Sequence, residues 1–339
     1  MMKSLISACV FCVGSIVGIC GSLQAGTVTF GSGTNSFQME FVPIGDPGNA
    51  ADTIGAPNPA GSVSYVYGMA KYEVSFDMIT KYNANFGSDN SLYILTDNRS
   101  SSKPATSISW NEAARFVNWL NTSTGGYAAY RFDGIGPNAN TSARNNELWD
   151  QSLHPLDYNP ANPFRSKRAR FVLPSYDEWY KAAYYDPSKT GGAGYWFYAT
   201  GSQSAPQAVS SGTLANSAIF QQPFSQGPAD VNQAGGLSPY GVMGLGGNVN
   251  EWEETTFDLT NSNSGSARAI RGGYWAGIDY WMTNQSRGGV DPFYGDEGMG
   301  FRVAMVTPSS GEVPEPSSIA IFGLGAMGLA YHARRKAKA

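Results

Sequence analysis

Thiol and imidazole chemistry are nearly absent from this 339-residue sequence. Its three cysteines, Cys9, Cys12 and Cys20, all lie close to the N-terminus, and its two histidines, His154 and His332, stand far apart. Beyond Cys20 nothing remains to form a disulfide, act as a thiolate nucleophile or hold a soft metal. A multi-histidine metal site is excluded too, and a Ser-His-Asp triad would need His154, which sits between Leu153 and Pro155 and reads as a loop or structural residue. Charge is also scarce: charged residues make up 14% of the chain, against roughly 25% in an average soluble protein. With a net charge of -4 and basic residues clustered only at the extreme C-terminus, nucleic acid is excluded as a partner.

What is present is aromatic and turn-forming. Aromatics reach 13%, with 41 glycines and 19 prolines, which describes a loop-rich globule with large apolar side chains. Lys3, the apolar stretch from Leu5 to Ile19 and the small residues up to Ala25 follow the order of a secretory signal peptide, residues 1–25, which places a mature N-terminus near Gly26. All three cysteines would leave with that segment. The other end, residues 313–339, carries Val313-Pro314-Glu315-Pro316, an apolar run from Ile319 to Tyr331, and then Arg334, Arg335, Lys336 and Lys338. The run is shorter than the ~20 residues of a comfortable membrane span, and the basic tail would stay on the cytoplasmic side. Gly323, Gly325 and Gly328 match a dinucleotide-binding pattern by letter only, because no strand-helix-strand unit surrounds them.

Between residues 36 and 306 there is no repeat and no linker, so a single domain is expected. Strand-like runs occupy Gln38 to Ile44 and Tyr65 to Val74. Ser109-Trp110-Asn111-Glu112 has capping-box spacing, and Ala113, Phe116, Val117 and Leu120 recur at helical period, predicting a helix over 110–121. Ser175 and Glu178 repeat the device for a helix over 176–185. From Ala199 to Gly236 no period of either kind appears, predicting irregular coil ordered by calcium, packing or partners.

Six segments then occur in order: Tyr72-Glu73-Val74-Ser75, Ser107 to Ala113, Leu173-Pro174-Ser175-Tyr176-Asp177-Glu178-Trp179, Gly247-Asn248-Val249-Asn250-Glu251-Trp252, Arg271-Gly272-Gly273-Tyr274-Trp275 and Gly300-Phe301-Arg302. Together they resemble the formylglycine-generating-enzyme or sulfatase-modifying-factor domain. The resemblance implies an irregular α+β fold of C-type-lectin-like type. Active members oxidise a substrate cysteine with copper and oxygen, using two cysteines between the last two motifs. Here Ala276, Gly277, Ile278, Asp279, Tyr280 and Trp281 stand in that region, and neither carboxylate nor indole replaces a thiolate for Cu(I). No copper is therefore expected. A related branch that uses histidine-held iron lacks its histidines here as well. The C-terminal segment resembles the PEP-CTERM signal, which implies sorting by an exosortase, transient inner-membrane association and a cell-surface or extracellular-matrix destination.

The resemblance also implies structural calcium, with the backbone carbonyls of Gly247 and Val249 and the carboxylate of Glu251 as hard oxygen ligands. It implies a surface groove populated here by Tyr274, Trp275, Tyr280, Trp281, Asn284, Arg287 and Asp291. Aromatic faces among amide, guanidinium and carboxylate groups suit sugar rings or peptide side chains. Glu253 and Glu254, adjacent on a strand or turn, are expected to point apart as a solvated pair, and Arg271 and Arg302 to brace the fold. Three readings follow: a non-catalytic module binding extracellular polysaccharide, peptide or a surface protein, an enzyme of altered chemistry on the same scaffold, or a structural matrix protein.

Overall fold

Alternation builds the first sheet. Strand β1, Gly26–Phe30, pairs antiparallel with β2, Phe37–Ile44, in which Phe37, Met39 and Phe41 point into the core while Gln38 and Glu40 face water. The computed structural model describes residues 25–86, 92–132 and 146–308. The expected signal peptide, Ala25 apart, and the sorting segment with its short transmembrane helix lie outside those residues. Among the described residues no helix is long and apolar enough to cross a membrane. Pairing from Gly26 onward makes the fold begin ten residues before position 36, where the domain was expected to start.

Strand β3, Tyr67–Ala70, is shorter than the run from Tyr65 to Val74 suggested. The chain after Ala70 leaves the ladder to meet the end of the domain, with Val74 N–H donating to Phe301 O at 2.9 Å. Helix α1, Phe76–Phe86, was not foreseen. Ser75 Oγ accepts from Met78 N–H as an N-cap should, but Met78 stands where the reciprocal glutamate of a capping box would be.

Helices α2, Trp110–Ser123, and α3, Tyr176–Tyr184, begin at the two expected capping boxes, in which Ser109 pairs with Glu112 and Ser175 with Glu178. Trp110, Ala113, Phe116, Val117 and Leu120 are all buried along α2, and fully burying a side chain such as Phe116 contributes about 1.5–3 kcal/mol. Ser175→Ala leaves Glu178 N–H without its acceptor and is expected to cost about 1 kcal/mol in urea denaturation.

Strand β4, Phe171–Val172, lies between α2 and α3. After α3 come β5, Asn250–Thr256, β6, Arg268–Arg271, β7, Gly288–Val290, β8, Met299–Gly300, and β9, Ala304–Met305. The five-stranded sheet runs β1-β2-β3-β9-β4 and the four-stranded sheet β7-β6-β5-β8. In the first sheet the last strand, β9, inserts between β3 and β4, so that sheet depends on contacts distant in sequence, whereas the second is built wholly from residues 250 to 300. The stretch from 199 to 236 is irregular as expected, with one two-residue parallel ladder. Packing orders it: Ala218, Ile219, Phe220, Ala229 and Ala234 are buried, and Ala229 N–H donates to Asn248 Oδ1 at 2.8 Å.

Candidate functional site

Strand β5 carries three carboxylates, and all three are buried. Glu251 receives Arg302 through Nη2 at 2.5 Å and Nε at 2.6 Å, and Trp179 Nε1 at 2.7 Å. Arg302 spends its remaining donors on Ala70 O at 2.9 Å and Met243 O at 2.8 Å, so one side chain joins the two sheets to the 243 loop. Glu253 lies 2.7 Å from Arg271 Nε as a charge pair, without the alignment of a hydrogen bond. Glu254 takes Arg165 Nε at 2.9 Å and the Tyr130 hydroxyl at 2.7 Å, while Arg165 also holds both oxygens of Glu178 at 2.8 Å.

These contacts correct one expectation and explain another. Glu253 and Glu254 do point apart, yet neither is solvated, because each faces a guanidinium contributed from elsewhere in the chain. Burial pushes both carboxyls above their ordinary range, with Arg271 and Arg165 respectively opposing it. At Glu178 burial acts in the same direction, but Arg165 outweighs it and the carboxyl ends below its ordinary range. Buried against guanidinium groups, these carboxylates brace the fold.

The expected calcium ligands do not fit an ion at this place. The Glu251 carboxylate is bound in the plane by the Arg302 fork, so a divalent cation would have to lie against a buried positive charge. Asn248, between Gly247 and Val249, is occupied as well, accepting from Ala229 N–H and donating to Glu73 Oε1 at 2.9 Å. Gly244 has φ +77 and sits where any Cβ would press on the Glu73 carboxylate, which is why no side chain projects there.

A cleft of about 410 Å³ opens beside β6 and β7. Tyr274 and Trp281 stack along its wall with ring centroids 5.6 Å apart and an interplanar angle of 18°. A 3-10 turn at Asp279–Met282 places Trp281 against Tyr274, burying Met282 and leaving Tyr280 52% and Trp281 40% exposed. Gly277 makes this possible, because a Cβ there would lie 2.7 Å from the indole. Ile270 and Gly288 complete the apolar wall, and Asn250, Gln285, Ser286, Arg271 and Arg287 supply polar atoms. Arg271 donates to Ser286 O at 2.8 Å and Arg287 to Phe257 O at 2.9 Å, and burial holds the Arg287 guanidinium below its ordinary range.

Of the seven expected groove residues, Tyr274, Tyr280, Trp281 and Arg287 line this cleft. Trp275 and Asn284 do not. Trp275 is buried with Ile219, Met243 and Val249, and its Nε1 donates to Phe224 O at 3.1 Å. Asn284 is buried with Nδ2 on Asp52 Oδ2 at 3.0 Å. Asp291 is exposed on the turn beyond β7, outside the cleft. Asn250, Ile270, Gln285 and Ser286 went unnoticed. Asn250 lay within a motif already quoted, and Gln285 and Ser286 directly follow Asn284, so their positions rather than their chemistry were the available signal. His154 rests edge-on against Trp149 at 5.5 Å, away from the cleft.

Comparison with known proteins agrees with this architecture. The sulfatase-modifying factor enzyme 1-like domain model matches residues 24–307, and the PEP-CTERM protein-sorting motif matches residues 312–336. No curated protein matches the chain. Among solved structures, variable protein 1 of Treponema denticola aligns at 18% identity with TM-score 0.53, covering 82% of this chain and 98% of its own. The crystal structure of CarF aligns at 17% identity with TM-score 0.52, covering 80% of this chain and 99% of its own. At these identities the likeness is one of fold: mixed α/β with few helices and little regular structure. The chain thus belongs to the sulfatase-modifying factor enzyme 1-like family and, through its C-terminal motif, is exported and sorted by an exosortase to the bacterial cell surface or extracellular space.

Proposed function

We propose that this domain is a non-catalytic binding module that presents the Trp281 cleft to extracellular polysaccharide. The observation that carries the reading is the Tyr274–Trp281 stack, in which Trp281 is 40% exposed and Tyr274 half-buried, bordered in the cleft by amide and hydroxyl groups. Apolar ring faces pack against the C–H faces of sugars, and neighbouring amides satisfy hydroxyls. The chain from Ala25 to its end has no cysteine, which removes the family's route to copper oxidation, and the carboxylates of β5 are tied up in buried pairs.

Trp281→Ala removes the centre of the platform and is expected to weaken retention on a glycan array by about 30-fold, the size of an aromatic hot spot. Unchanged retention would remove the cleft from the binding surface. An altered enzyme on the same scaffold makes the opposite prediction, namely oxygen uptake with a thiol peptide and copper. That signal would overturn the non-catalytic reading.

A further inference from the structure

The Trp281 cleft adjoins a second concavity at strand β7. Gly288 belongs to the wall of the first, while Gly289, Val290, Asp291, Phe293 and Tyr294 form the second, a wide shelf of about 560 Å³. Phe293 and Tyr294 are 50% and 54% exposed, a large adjacent pair of apolar surfaces. They are nevertheless firmly placed. Phe293 N–H donates to Asp291 Oδ1 at 2.8 Å, Tyr294 N–H to Asp291 O at 3.0 Å, and Asn111 N–H holds Pro292 O at 3.2 Å against α2. A Cβ on Gly295 would lie 2.8 Å from the Ser107–Ile108 backbone, so the far end of the turn is pinned as well. The backbone that carries the rings is held this way, so a ligand has little loop entropy to remove.

Resting on the polysaccharide reading above, we infer that the Trp281 cleft and the Phe293–Tyr294 shelf are two subsites of one track, and that the ligand is an extended polysaccharide strand spanning both. Gly288 lines one and Gly289 the other, so the two lie end to end along β7, and a chain of sugars running beside that strand would meet both. Strand β7 pairs only with β6 among the described strands, so its outer edge lies open along the path. That edge is a poor acceptor for an added peptide strand, because it is three residues long and flanked by the charges of Arg287 and Asp291. Aromatic faces at both ends, rather than backbone pairing in the middle, would then supply the affinity.

The test measures Kd by calorimetry for dimers and octamers of β-1,4-linked glucose and of an alternating hexosamine–uronate polymer. Wild type is expected to bind the octamer of one series about 100-fold more tightly than its dimer, since the second contact becomes intramolecular. Phe293→Ala/Tyr294→Ala, with both changes on exposed rings, should keep the thermal midpoint and the dimer affinity while losing that gain. Trp281→Ala should weaken dimer and octamer together. If the double variant binds the octamer as wild type does, the shelf is not a subsite, whereas the cleft reading survives. If no oligomer binds wild type, or if only extended peptides bind and depend on Phe293 and Tyr294, the polysaccharide track is overturned.

Discussion

Arg302→Met is expected to lower the unfolding free energy by about 3–5 kcal/mol, the loss typical of removing one partner of a buried pair. The variant strands the Glu251 carboxylate, which has no exposure and would retain only Trp179 Nε1 as a donor. It also leaves Ala70 O and Met243 O without the guanidinium that satisfies them. For a domain this large the thermal midpoint should fall by about 10 °C. Glu251→Gln in the same background removes the unpaired charge and keeps an acceptor for the indole, so the double variant should regain part of the loss. A decrease below about 1 kcal/mol in Arg302→Met would show that the pair contributes shape and little stability. Arg165 should be at least as sensitive, because it holds Glu178 and Glu254 together.

The sheet-closing role of Arg302 also indicates what the amino-acid order could reveal. Local devices were legible: both capping boxes are read from a serine and a glutamate three residues apart, and both helices start there. Helix α1 was missed because Ser75 caps it without a glutamate at the third position, so half of the signal was missing. The carboxylates of β5 were misjudged for a different reason. Nothing near Glu253 or Glu254 announces that Arg271 and Arg165 will arrive from other parts of the chain, and unpaired glutamates belong in water. The cleft was half legible by the same logic. Tyr280 and Trp281 sit on a turn that cannot bury them, whereas the neighbouring Trp275 finds a pocket made by residues 219 to 249. Aromatic identity alone does not tell these two fates apart.

Glu73→Gln should remove a pH dependence that the native chain carries into neutral solution. Glu73 is 1% exposed, its Oε1 accepts from Asn248, and its Oε2 has no partner. Burial pushes its carboxyl up to about 7, with Arg302 opposing and Glu251 reinforcing the shift. An unfolded glutamate titrates near 4.5. Between these values the folded state keeps a proton that the unfolded state releases, so stability falls as pH rises through the window and is level on either side. The loss is on the order of 3 kcal/mol for a shift of this size. Glutamine preserves the shape and the acceptor for Asn248 but never ionises, so the stability of the variant relative to wild type should climb from pH 4.5 to 7 and then hold. Asp177, also raised by burial to about 6, titrates in both proteins and cancels in the comparison. Urea denaturation across that range measures the difference directly. A pH-independent offset between the two proteins would mean that Glu73 stays charged in the fold, which its unpartnered oxygen and the adjacent Glu251 make costly.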